Sequence, residues 1–145
     1  MRALLDTSVL IAAVIKQHVA HERAFAVLER VHGQKDEGII SVHSLAEMYA
    51  VLTKLPPPYR HTPEQALLSI EENVVKHCKT IGLAAGEYVA LLREAVVARI
   101  QGGTVYDALL LKAAVKANAE VIYTLNLKHL QAIAPATAVG MLSAP

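Results

Sequence analysis

The beginning of the chain constrains its fold more than any other stretch. A short apolar run, Leu4–Leu5, ends at the carboxylate of Asp6 and passes directly into helix-forming sequence from Thr7. The run is too short for a buried helix and is typical of a buried strand. In open α/β sheets, the point where a strand ends and a helix begins faces the crevice in which ligands bind. The sequence therefore predicts an α/β fold with Asp6 at this crevice.

Short strands and helices are predicted to alternate along the whole chain. The predicted strands after the first are Gly38–Val42, Lys79–Ile81, Val121–Thr124 and Ala138–Leu142. The predicted helices are Thr7–Lys16, His18–Val31, Ser44–Leu55, one from Thr62, Gly86–Ile100, Thr104–Asn118 and Lys128–Ile133. The strands are apolar without alternation, as expected when helices cover both faces of a parallel sheet. We therefore expect an α/β domain with a mostly parallel sheet, spanning residues 1–145.

The composition narrows the class of protein. Hydrophobic residues make up 54% and charged residues 19% of the chain, which is typical of a packed globule. No apolar run approaches the roughly 20 residues of a membrane span, and the single cysteine, Cys78, suits a reducing compartment, so we expect a cytoplasmic protein. The net charge of +1 argues against a large phosphate-binding surface but is compatible with an enzyme that holds a few nucleotides. The apolar excess with few aromatic residues favours an exposed apolar face, hence an oligomer or a partner interface.

Two further acids and an amide stand at similar positions to Asp6. Glu47, Asp107 and Asn126 each fall where the pattern predicts that a helix begins after a strand. Each has a structural alternative. Asp6 and Asn126 could cap the helices that follow them, and Ser44–Glu47 and Thr104–Asp107 have the spacing of a capping box.

Taken together, the acids point to a metal site. The carboxyl ends of parallel strands meet at one edge of a sheet, so the four side chains are expected in one crevice, where crowded carboxylates need a cation to stay ionised. Carboxylates with open positions for water are what Mg²⁺ or Mn²⁺ prefers, and such an ion can activate water against a phosphodiester. The hydroxyls of Thr7, Ser8 and Thr124 could hold the ligands, and Lys128 and His129 could meet substrate phosphate. His43, one residue before the predicted helix start at Ser44, could line the cleft, although a core or rim position is the preferred interpretation.

Four segments also carry a family resemblance. The stretches Leu4–Ala12, Ser44–Leu52, Gly103–Leu110 and Ala119–Asn126 resemble the signature blocks of PIN-domain ribonucleases, in order, within a similarity from about residue 2 to residue 142. The resemblance is to the small toxins of VapBC-type toxin–antitoxin pairs. It implies a three-layer α/β/α fold and Mg²⁺- or Mn²⁺-dependent endonuclease activity on RNA. It also implies a homodimer and a small DNA-binding, VapB-like antitoxin as partner.

The resemblance places Asp6, Glu47 and Asp107 on metal-binding positions and Asn126 on a position that is commonly aspartate. A neutral amide oxygen binds a second metal more weakly, so a one-metal mechanism is favoured over a two-metal one. The sequence leaves two alternatives open. One is a PIN-like module that binds nucleic acid or protein without useful catalysis. The other is a phosphatase or phosphoryl transferase, which the absence of an Asp-x-Asp pair disfavours, since Ser8 stands where the second aspartate would be.

Overall fold

A computed structural model describes residues 1–145, and its centre is a five-stranded parallel sheet in the order β3–β2–β1–β4–β5. The strands are β1 (Arg2–Leu5), β2 (Glu37–Ser41), β3 (Cys78–Ile81), β4 (Val121–Tyr123) and β5 (Leu142–Ser143). The first strand in sequence is thus the central one, with Leu4 beside Ile39 of β2 and Ile122 of β4. All four strand pairs are parallel, so the carboxyl ends of the strands share one edge.

Eight helices surround this sheet. They are α1 (Thr7–Val14), α2 (His21–His32), α3 (Val42–Leu52), α4 (Pro63–Ile70), α5 (Ala85–Val97), α6 (Thr104–Lys116), α7 (Leu127–Ile133) and α8 (Ala136–Val139). Helix α4 continues into a π-helical turn over Glu71–Val75. Thr62 begins α4 as predicted, because its hydroxyl accepts from the Gln65 backbone while the Gln65 side chain accepts from the Thr62 backbone.

The predicted three-layer arrangement is confirmed, because the sheet separates two apolar cores. Successive residues of a strand point to opposite faces. Leu5 and Ile40 accordingly pack with α1, α2 and α3, whereas Leu4 and Ile39 pack with α6 and α7. Both faces of the central strands are therefore buried, which is why their sequence is uniformly apolar.

Three local predictions are wrong. The run Ala138–Leu142 does not form the last strand: the chain makes the short helix α8, and β5 is only Leu142–Ser143. Helix α3 begins at Val42, with Ser41 as its N-cap, so Ser44 and Glu47 lie inside the helix and form no capping box. Helix α6 follows α5 through Gly102–Gly103, so Asp107 does not follow a strand.

One glycine is required by packing. A Cβ atom at Gly38 of β2 would lie 2.5 Å from Cγ1 of Val31 and 2.8 Å from Sγ of Cys78. Glycine therefore lets α2 approach the sheet. The same burial raises the pKa of the Cys78 thiol to about 11, so this cysteine is mostly a neutral thiol at physiological pH.

Helix α5 has apolar residues on two of its faces. Leu91 and Ala95 are buried against the protein, whereas Val89, Leu92 and Val96 are exposed and recur with helical spacing. The expected exposed apolar face is therefore present, and we call these three residues the α5 stripe. No helix is long and apolar enough to span a bilayer.

Candidate metal-binding active site

Asp6 is held by two hydroxyl groups from different parts of the chain. Its Oδ2 accepts hydrogen bonds from Ser8 Oγ at 2.7 Å and from Thr124 Oγ1 at 2.8 Å. Those hydroxyl oxygens in turn accept from the backbone N–H groups of Leu125 and Asn126. The network fixes the carboxylate against the end of β4, with both hydroxyl bonds on Oδ2. Asp6 occupies the N-cap position of α1, but its side chain makes no capping hydrogen bond.

Glu47 lies in the second turn of α3 and is paired with a histidine one turn earlier. His43 Nε2 lies 2.6 Å from Glu47 Oε1, and the His43 ring stacks on Tyr106 with ring centroids 4.8 Å apart and an angle of 8° between the planes. Tyr106 directly precedes Asp107 in α6. The stacking therefore connects α3 to the helix that carries the third acid.

Asp107 lies in the first turn of α6 and is partly buried. Burial raises the pKa of its carboxyl group, and the negative charges of Asp6 and Glu47 raise it further, whereas the charge of His129 lowers it. Asp107 is therefore close enough to both other acids to be repelled by them. This is the electrostatic condition that a bound cation relieves.

The acids line a common cavity at the carboxyl edge of the sheet. We call it the acidic cavity; its volume is about 410 Å³. Its walls include the three acids with Asn126, His18, Thr7 and Ser8. A smaller adjoining space of about 30 Å³ is lined by the same acids together with His43 and Tyr106. The predicted convergence in one crevice is thus observed, although Glu47 and Asp107 reach it from within helices.

The donor set fits a hard divalent cation such as Mg²⁺ or Mn²⁺. Three carboxylates face one cavity, and the hydroxyl bonds to Asp6 all fall on one of its two oxygens. The side chains do not form a ready-made group of three or more metal ligands. Binding an ion requires them to draw together, and Glu47 would have to share or leave its contact with His43.

The other predicted site residues fall into two groups. Asn126 lines the acidic cavity, and although it is the N-cap of α7 its side chain makes no capping hydrogen bond. Thr7 lines it without a hydrogen bond to any of the acids. Lys128 and His129 are exposed on α7 outside the cavity walls, His129 near enough for its charge to act on Asp107.

Three cavity residues were missed or misjudged from the sequence. His43 lines the site and contacts Glu47, whereas a core or rim position was preferred over a cleft position. The signal was its spacing of four residues from Glu47, which places both on one helix face. Tyr106 and His18 had no predicted role in the site, and their placement depends on how α1, α3 and α6 pack together.

The sequence matches a known family over most of its length. Residues 3–134 match the PIN domain family. The chain belongs to the PIN-domain family.

Its curated relatives are VapC ribonucleases. Ribonuclease VapC40 of Mycobacterium tuberculosis is 33% identical over 118 residues, which cover 81% of each chain. Ribonuclease VapC27 of the same species is 35% identical over 117 residues, which cover 81% of this chain and 80% of the relative.

Solved structures share the fold at low sequence identity. VapC20 of M. tuberculosis, a toxin that cleaves the sarcin-ricin loop, superposes with a TM-score of 0.69 at 16% identity over 92% of this chain and 96% of that one. VapBC2 of Rickettsia felis, bound to a promoter DNA fragment, gives a TM-score of 0.64 at 20% identity over 99% and 98% of the two chains. These likenesses agree with the three-layer parallel sheet described above.

Proposed function

We propose that this protein is a divalent-metal-dependent endoribonuclease and the toxin of a toxin–antitoxin pair. The observation that carries the proposal is the convergence of Asp6, Glu47 and Asp107 on one cavity at the carboxyl edge of the sheet. The ribonuclease names of its VapC relatives support RNA as the substrate. The reaction is hydrolysis of a phosphodiester bond, which leaves a phosphate on one product and a hydroxyl on the other.

Each residue has a distinct part in this proposal. Asp6, Glu47 and Asp107 hold the ion, and Asn126 offers a neutral amide oxygen beside them. A bound Mg²⁺ or Mn²⁺ lowers the pKa of water and neutralises charge on the scissile phosphate. Ser8 and Thr124 orient the Asp6 carboxylate, so that this ligand is in place before the ion arrives.

The test compares the wild type with Asp107→Asn on a mixed pool of structured RNA, with Mg²⁺, with Mn²⁺ or with EDTA. Glu29→Gln is the matched control, since it also removes one carboxylate, from an exposed position on α2. We expect cleavage by the wild type and the control, none with EDTA, and a loss of at least about 100-fold in Asp107→Asn. Equal cleavage by all three proteins would refute the assignment of Asp107.

A second candidate function is a PIN-like module that binds nucleic acid or protein without useful catalysis. The contact of Glu47 with His43, together with the amide at Asn126, favours it, because both leave the ion with fewer free carboxylates. Calorimetric titration separates the two candidates. Binding of Mg²⁺ or Mn²⁺ that is lost in Asp107→Asn supports the enzyme, and no binding by the wild type supports the module.

We also infer two protein partners and a location. The names of solved VapBC relatives support a VapB-like antitoxin. The exposed α5 stripe supports a homodimer, since an interface there would bury the apolar surface of Val89, Leu92 and Val96. Light scattering of the wild type and of Leu92→Lys tests the dimer. We expect the wild type to be a dimer and Leu92→Lys to be a monomer. A cytoplasmic location stays a prediction, to be tested by cell fractionation.

A further inference from the structure

A second and larger cavity lies beyond the carboxyl-terminal end of α1. Its volume is about 650 Å³, and its walls include Lys16, Gln17, Tyr59, Arg60 and His61. We call it the basic cavity. Its lining comes from the segment after α1, from the loop between α3 and α4, and from α4 with the turn that follows it.

The charge of this cavity is positive and uncompensated. Neither Lys16 nor Arg60 takes part in an ion pair, and Arg60 is fixed by a hydrogen bond of 2.9 Å from its Nε to the Leu55 carbonyl oxygen. The only acid in the walls, Glu72, is paired with Lys76 at 2.5 Å. The basic cavity therefore offers two free cations to an anionic ligand.

An aromatic ring stands beside these cations. Tyr59 is 43% exposed, although it lines the cavity and directly precedes Arg60. Cations that track a phosphate backbone, next to an aromatic face on which a base stacks, are the combination by which proteins hold single-stranded nucleic acid. A free inorganic anion has no base to stack on Tyr59, so the ring favours a nucleic acid over such an anion.

The two cavities follow one another along α1. Ile11 and His18 line the acidic cavity, whereas Val14 and Lys16 line the basic one. At a helical rise of about 1.5 Å per residue, the eight steps from Asp6 to Val14 span about 12 Å, or three to four nucleotides of a stacked strand. His18 lines the acidic cavity and directly follows Gln17, which lines the basic one. Its Nδ1 accepts from the Ala20 backbone at 3.0 Å, so the neutral ring carries its proton on Nε2, where it can donate to a phosphate.

We propose that the basic cavity binds a single-stranded segment of the RNA substrate, a few nucleotides away from the bond that is cut. Lys16 and Arg60 contact phosphates, and Tyr59 stacks on a base. The proposal rests on the proposed function, since it assigns the strand in the basic cavity to the substrate of the acidic one. The basic cavity is then a subsite that governs the affinity for RNA, whereas the reaction itself takes place in the acidic cavity.

The test measures RNA binding apart from cleavage. The probe is a fluorescein-labelled single-stranded RNA of mixed sequence, about 12 nucleotides long and thus able to span both cavities. Its affinity is measured by anisotropy in EDTA at several salt concentrations. The variants are the double substitution Lys16→Gln with Arg60→Gln, and separately Tyr59→Leu. The matched control, Lys35→Gln with Arg93→Gln, removes the same charge from exposed positions outside both cavities.

We expect the Lys16 and Arg60 double variant to bind about tenfold more weakly and to reduce the slope of log K against log salt by about 1.4, the value for two phosphate contacts on a single strand. Tyr59→Leu should lose about tenfold in affinity with an unchanged slope, because stacking releases no counterions. The control should match the wild type. In cleavage assays the double variant should raise KM and leave kcat unchanged.

Three results would overturn the proposal. One is wild-type affinity and slope in the double variant. Another is an equal loss in the control, which would make the effect one of net charge alone. The third is loss of binding to an oligoglutamate peptide without loss of RNA binding, which would assign the cavity to an acidic protein segment. If RNA binding depends on Lys16 and Arg60 but nothing is cleaved, the proposed function fails and the subsite stands.

Discussion

Thr124 Oγ1 donates a 2.8 Å hydrogen bond to Oδ2 of Asp6 across 118 positions of sequence. Thr124 is fully buried at the end of β4, and Asp6 follows β1, the strand beside it. The same oxygen of Thr124 accepts from the Asn126 backbone. One hydroxyl thus joins a proposed metal ligand to the segment that carries the fourth polar residue of the site.

Removal of this hydroxyl should weaken both the site and the fold. Thr124→Val keeps the shape of the side chain but leaves the Asn126 N–H without a partner and removes one of the two hydroxyl bonds to Asp6 Oδ2. We expect divalent-cation affinity to fall by about 10- to 100-fold, and the free energy of unfolding to fall by about 1–3 kcal/mol. Calorimetric titration with Mn²⁺ and chemical denaturation measure the two effects. Thr124→Ser, which retains the hydroxyl, should stay near wild type in both; an equal loss there would contradict the role of the hydrogen bond.

The contact between His43 and Glu47 should compete with cation binding. His43→Phe removes the 2.6 Å contact and keeps an aromatic ring to stack on Tyr106. Because partly exposed pairs are worth about 0.2–1 kcal/mol, we expect Mn²⁺ affinity to rise by no more than about fivefold. Weaker binding of Mn²⁺ in this variant would show instead that His43 positions Glu47 for the ion.

A carboxylate at position 126 should strengthen the ion site and destabilise the ion-free protein. Asn126→Asp adds a fourth negative charge to the acidic cavity, where Asp107 already experiences the charges of Asp6 and Glu47. We expect tighter Mn²⁺ binding or a second bound ion in calorimetry, and a lower melting temperature in EDTA than for the wild type. Unchanged affinity and unchanged stoichiometry would mean that residue 126 does not face the ion.

Stability should depend on acid pH through a carboxylate outside the site. Asp36 is buried, and Arg30 holds it with hydrogen bonds of 2.6 and 3.1 Å, which set the pKa of the Asp36 carboxyl below its usual range. A lowered folded-state pKa stabilises the fold above the unfolded value of about 3.9, and this stabilisation is lost as the pH falls toward the folded value. The free energy of unfolding, measured between neutral pH and a pH of about 3, should show this loss in the wild type, and it should fall less steeply with decreasing pH in Asp36→Asn. The same pH dependence in both proteins would contradict the assignment.

The close approach of α2 to the sheet should make β2 intolerant of a methyl group. Gly38→Ala places a Cβ against Val31 and Cys78, and we expect a loss of about 1–3 kcal/mol in the free energy of unfolding. Gly86→Ala is the matched control, because no atom lies within 4 Å of its added Cβ and it sits in α5, where alanine favours the helix. Denaturant titration of both variants checks the contrast, and equal stability would contradict the packing argument.

The first strand and several helix starts were predictable because the local sequence preferences agree there with the packing of the whole fold. The buried run of β1 and the turn into α1 at Asp6 match the structure closely, and so does the capped start of α4 at Thr62. The end of the chain was not predictable in the same way. Pro135 and the apolar residues after it suit a short helix as well as a strand, and the sheet leaves room for only two residues of pairing.

The sequence predicts that the three acids and Asn126 share one crevice, as observed, but it does not predict how they reach it. The acids were expected to follow strands, whereas Glu47 and Asp107 lie inside α3 and α6 and reach the cavity through helix packing. The stacking of His43 on Tyr106 joins residues 63 positions apart, and no periodicity within either helix could have indicated it.

The short outer strands of the sheet limit how copies of this chain can associate. One border strand, β5, has two residues, and the other, β3, has four, including Lys79, whose ammonium group pairs with Glu37 of the neighbouring strand. Short borders with a lysine are a poor template for another strand. These borders therefore disfavour joining two copies by continuing one sheet into the next, and they favour assembly through helical surfaces. Growth of the sheet from edge to edge, the route by which strands assemble into fibres, is disfavoured in this chain for the same reason.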